Sequence, residues 1–105
     1  MIETFRRWLL ERRSTLEREG IALEIAKGSE GLLKNGISAV LTSDRFESRI
    51  ELWETGESEF YFADWAVADR DPDYHPEVVH HEFQSYAEMY VALDQLVNRM
   101  SPVLV

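Results

Sequence analysis

The spacing of apolar positions changes several times along the chain, and each change marks an element. From Ile2 to Glu19 they recur at Ile2, Phe5, Leu9 and Leu16, with Trp8 widening the stripe, which predicts an amphipathic helix that Gly20 ends. Gly20 to Lys27 alternates instead, Ile21, Leu23 and Ile25 against Ala22, Glu24 and Ala26, as a strand does. The turn-rich GSEGLLKNG follows, and its Asn35-Gly36 pair predicts a hairpin into a second alternating strand over Ile37 to Ser43. Ser43-Asp44 then turns the chain.

The longest patterned stretch is Arg45 to Val67, RFESRIELWETGESEFYFADWAV, read as two long strands joined at Glu54-Thr55-Gly56. Alternation decides the register. A three-residue loop with Gly56 in the left-handed position sets Ile50 against Phe60 and Leu52 against Ser58, whereas a two-residue Thr55-Gly56 loop would mix polar and apolar residues on both faces. One face then carries Ile50, Leu52, Phe60 and Phe62. The other carries Arg49, Glu51, Trp53, Glu57, Glu59, Tyr61 and Trp65, with Glu51 and Glu59 as directly opposed like charges.

Beyond Val67, ADRDPDYHPE holds two prolines and reads as a loop, and Val78 to Phe83 as a short last strand at a sheet edge. Ser85 with Glu88 three residues on forms a capping box. It opens a helix whose stripe is Tyr86, Met89, Leu93, Leu96, Val97 and Met100, stopped by Ser101-Pro102. The expected fold is α+β: an antiparallel four- to five-stranded meander with the N- and C-terminal helices packed on its Ile50/Leu52/Phe60/Phe62 face. At 105 residues, the chain is expected to form a single domain, 1–105, burying roughly two-thirds of the surface of its unfolded state.

Charge sharpens this picture. The net charge is −9, yet residues 1–50 hold 9 Lys/Arg and 8 Asp/Glu, for +1, while residues 51–105 hold 2 and 12, for −10. So acidic a half argues against nucleic acid as a partner and for a protein with a basic surface. The five arginines of the first helix interleave with glutamates and read as a solvated face. There is no cysteine, no apolar run of membrane-spanning length and no signal-peptide pattern at the N-terminus, so a cytoplasmic protein without membrane attachment is expected.

Little of the chain suggests catalysis or a bound cofactor. His75, His80 and His81 lack the spacing of a zinc site, since adjacent histidines on a strand point to opposite faces, and neither metal nor cofactor is expected. Glu51 and Glu59 sit on an open face without the enclosing cleft that acid/base work needs, and no serine lies in a nucleophile elbow. Trp53, Tyr61 and Trp65 among charges have the composition of an interface anchor. An alternative for Trp65 is burial under the 69–77 loop, and Arg45 opposite it is placed to stack on the indole.

RIELWETGESEFYFAD, with EVVHHEFQSYAEMYVALDQLVNRM after it, resembles the small bacterial immunity proteins of the TriTu type. The resemblance rests on RI-x-LWETGE leading into an aromatic and acidic strand, and on HHEF-x-S ahead of the terminal helix, over roughly residues 45–100. It implies an antidote that binds a cognate toxin and blocks it without enzymatic chemistry. The toxin-binding residues would then be those of the acidic and aromatic face, set against a basic cleft such as that of a nuclease. A homodimeric interaction module closing over the open face, and a small-molecule-binding protein or enzyme using Glu51, Glu59 or the histidines, are the alternative readings.

Overall fold

The computed structural model describes residues 1–27 and 36–101. Helix α1 (Ile2–Arg18) leads into β1 (Ala22–Lys27), and β2 (Gly36–Thr42), β3 (Phe46–Trp53) and β4 (Glu57–Asp64) follow. A short α2 (Trp65–Ala68), an edge strand β5 (Glu77–Glu82) and α3 (Tyr86–Met100) complete the order. The five strands form one antiparallel sheet in the order β1-β2-β3-β4-β5, each beside its neighbours in sequence. This is the expected α+β meander. Residues 28–35 of the GSEGLLKNG connection, with the Asn35 half of its turn, lie outside the described residues, and Gly36 opens β2; the strands so joined pair from Lys27↔Ile37 to Ala22↔Thr42.

Both helices cover one face of the sheet. Phe5, Trp8, Leu9 and Leu16 of α1 and Met89, Leu93, Leu96 and Met100 of α3 join Ile37, Leu41, Ile50, Leu52, Phe60 and Phe62 in one buried cluster. Each large side chain buried there contributes about 1.5–3 kcal/mol relative to exposure. Ser48 and Ser58 are the buried polar residues of this inner face among the described ones, and their hydroxyls find no hydrogen-bond partner there. The α1 arginines are partly engaged with the fold: Arg12 lies over the Trp8 ring at 4.2 Å, and Arg13 donates to the Leu23 carbonyl at 3.0 Å.

The central hairpin has the register that alternation selects, with Ile50↔Phe60, Glu51↔Glu59 and Leu52↔Ser58. Gly56 has φ +94°, and its N–H donates to the Trp53 carbonyl at 3.0 Å, closing the turn. Its inner side is crowded as well. A Cβ there would stand 2.6 Å from the Phe83 carbonyl oxygen, while the Phe83 N–H donates to the Gly56 carbonyl at 2.9 Å, so this one glycine joins the hairpin tip to the end of β5.

Two expectations need correcting. The second long strand does not reach Val67: β4 ends at Asp64, whose carboxylate accepts from the Ala66 and Val67 N–H groups at 3.1 and 3.3 Å and caps α2. In α3, Ser85 accepts from the Glu88 N–H at 3.3 Å, but Tyr86, counted in the apolar stripe, is exposed. It occupies the first turn of the helix, one turn before the buried stripe begins at Met89. The Glu88 carboxylate reaches back to the Gln84 N–H at 2.8 Å, one residue before the cap.

Candidate functional site: the acidic outer face of the sheet

Helices on one side leave the side chains of opposite parity on the other. Across the strands these fall into rows. Glu24, Val40, Arg49, Tyr61 and Val78 form one, and Ser38, Glu51, Glu59 and His80 the next. Trp53 on β3, then Glu57 paired with Glu82 across β4 and β5, stand towards the hairpin tip. Glu47, level with Ala63 on the Asp64 side, adds a further carboxylate. Among the described residues, Glu24, Glu47, Glu51, Glu57, Glu59 and Glu82 thus share this face with a single arginine, Arg49, and with His80.

The local geometry concentrates negative charge further. Arg49 lies over the Tyr61 ring, its guanidinium carbon 4.3 Å from the centroid, with Glu47 at 3.6 Å on the same strand. The cation is therefore spent on its own strand and on the neighbouring aromatic ring. Glu51 and Glu59 oppose each other, and among the described residues no arginine or lysine is ion-paired to either. Beside them the His80 Nδ1 stands 3.7 Å from Glu59 Oε2, close enough to pair with it when protonated. Trp53 and Tyr61 are each half-buried within the sheet surface, presenting apolar area held in place.

Of the residues expected at the site, Arg49, Glu51, Trp53, Glu57, Glu59 and Tyr61 are brought onto one face, and Trp65 is not. Its backbone N–H still bonds the Arg45 carbonyl at 2.8 Å, but the residue belongs to α2 and is 40% exposed, so the loop that follows does not bury it. Arg45 does not stack on the indole. It pairs through two nitrogens with the Asp64 carboxylate at 3.0 and 2.8 Å, which holds that carboxyl below the usual range against the opposing effect of burial. The 69–76 segment instead turns back on the end of β4, where the Tyr74 hydroxyl accepts the Asp64 N–H at 2.8 Å. Ala63, on the outer side by alternation, is fully buried, so the open face ends there.

His80 and Val78 were not foreseen at this site. Their parity is visible in EVVHHE, but the long connection from β4 leaves the register against Glu59 and Tyr61 undetermined by sequence alone. His80 and His81 do point to opposite faces. His81 packs edge-on to Phe60 at 4.7 Å and stacks on Phe83 at 5.2 Å, and burial lowers its pKa. No group of three or more metal-ligating side chains occurs among the described residues, and none of their helices is long and apolar enough to cross a membrane.

A family model described as "Immunity protein TriTu" matches residues 3–71. The chain belongs to this family. The TriTu match runs from α1 through the central hairpin and α2 and stops before β5, so it shares with the resemblance noted above the LWETGE hairpin and extends over the N-terminal half, while the HHEF segment lies outside it. No curated protein and no solved structure matches the chain. The TriTu region holds most of the outer face described here; His80, Val78 and Glu82 complete it from β5.

Proposed function

We propose that this TriTu protein neutralises a cognate toxin by laying the outer face of its sheet over a basic surface of that toxin, without catalysing a reaction. One observation carries the reading. The sheet face that neither helix covers gathers carboxylates around two half-buried aromatics, with its arginine already engaged by Tyr61 and Glu47. Carboxylates held on a rigid sheet need little reordering on binding, and Trp53 and Tyr61 offer large contact area at small entropic cost. Arg49, Glu51, Trp53, Glu57, Glu59 and Tyr61 form this surface, with the exposed Trp65 just past the end of β4.

A nuclease-type cleft suits this surface best. Such a cleft is lined with cations that bind phosphates, and a row of carboxylates offers those cations the same negative charge that the phosphates carry. Inhibition is then steric and electrostatic. The test is co-expression of the protein with its cognate toxin domain, scored as cell survival. Wild type should rescue growth, and Glu51→Lys/Glu59→Lys, shown to be folded, should fail; equal rescue by both would remove the face from the mechanism.

A further inference from the structure

The last strand of the sheet has a free side. The Phe83 N–H donates to Gly56, so Phe83 directs its backbone towards β4, and the alternation of an antiparallel ladder makes Val79 and His81 do likewise. Val78, His80 and Glu82 must then direct their N–H and C=O groups away from β4. β5 ends the strand order, and these three residues are exposed. Among the described residues no strand pairs with this row, which makes it a template for one more.

The two faces of β5 specify what that strand must carry. On the helix side, Arg99 of α3 pairs with Glu77 of β5, and between the two elements lie two adjoining hollows of ≈ 460 and ≈ 210 Å³ that share His81, Ala92 and Gln95. Val79 and Val91, 46% and 56% exposed, flank them with apolar surface. On the outer side, Val78, His80 and Glu82 stand level with Tyr61, Glu59 and Glu57, so the acidic face reaches this edge. An added strand would therefore place apolar side chains over the hollows and basic ones beside Glu82, with Glu59 one strand further in. A second copy of this chain fits poorly, because β5 against β5 would bring together two C-terminal halves of −10 each.

We propose that β5 is a strand-addition site for an extended segment of the toxin in which apolar and basic residues alternate. This rests on the toxin-binding reading above and adds a second, backbone-directed element to it. The test uses the full chain and a catalytically inactive form of the cognate toxin domain. Amide exchange in the free protein should be fast at Val78, His80 and Glu82 and slow at Val79 and His81, and the three fast amides should slow by at least about 100-fold once the toxin domain is bound. His80→Pro removes an outward N–H at an edge position where proline is tolerated, and should weaken binding by about tenfold or more. Val91→Asp, in the groove wall, should act in the same direction while leaving β5 unchanged.

Binding that leaves the three amides fast, or a folded His80→Pro variant that binds like wild type, overturns the proposal. If Glu51→Lys/Glu59→Lys then still abolishes binding, the outer-face reading stands without the edge. A dimer in the absence of toxin with these amides already slow would assign the edge to a second copy and also overturn it. No binding by wild type would remove both readings together.

Discussion

Replacing Gly56 by alanine tests the join between the hairpin and the edge strand. Two penalties follow from the structure. With φ at +94°, an L-residue pays about 1–2 kcal/mol for left-handed backbone. The new Cβ would also stand 2.6 Å from the Phe83 carbonyl oxygen, and because that atom belongs to backbone, relief requires β5 to move. Moving it strains the 2.9 Å Phe83-to-Gly56 hydrogen bond, worth about 1 kcal/mol. The sum is about 2–3 kcal/mol, or a fall in Tm of roughly 10–20 °C for a protein of this size. Gly20→Ala is the internal control, since Gly20 has φ +82° but nothing within 4 Å of its would-be Cβ, and should cost only the first penalty. Urea unfolding of both variants measures the difference. Equal costs would show that the contact with Phe83 contributes nothing, and a cost below about 1 kcal/mol at Gly56 would refute the left-handed turn itself.

Further expectations concern the core and the acid limb. Ser48→Ala removes a fully buried hydroxyl that has no partner among the described residues, and should leave stability unchanged or raise it by up to about 1 kcal/mol in the same urea assay; a loss above 1 kcal/mol would mean the hydroxyl is bonded. Asp64 has its pKa lowered in the fold, chiefly by the Arg45 hydrogen bond, so the folded state holds fewer protons than the unfolded one. The stabilisation is complete above the unfolded value of about 3.9 and is lost as pH falls through the lower folded value. Arg45→Ala should flatten the decline of Tm as pH falls below about 4, and an unchanged acid limb would contradict the pairing.

The hairpin register was legible because only one loop length keeps Ile50, Leu52, Phe60 and Phe62 on a common face. Burial of one face makes a one-residue slip costly, and the sequence records that cost as alternation. The end of β4 was not legible in the same way. FYFADWAV continues the alternation as far as Trp65, and the competing signal, an aspartate able to cap the next turn, looks the same as any acidic strand residue until Arg45 is known to hold it. Tyr86 shares the helical spacing of the buried stripe but lies in the first turn of α3, and periodicity does not show where coverage by the sheet stops. His80 joined the site only through strand pairing across a long connection, which side-chain pattern cannot register.

The most direct test of the account is titration calorimetry of the cognate toxin domain with wild type and with Trp53→Ala/Glu51→Lys/Glu59→Lys, at low and at moderate salt. A face that works through opposed charge and an aromatic anchor predicts binding that weakens with salt in the wild type, and a Kd at least about 100-fold weaker in the variant, with thermal unfolding little changed. A folded variant that binds the toxin domain with the wild-type Kd would contradict the central claim.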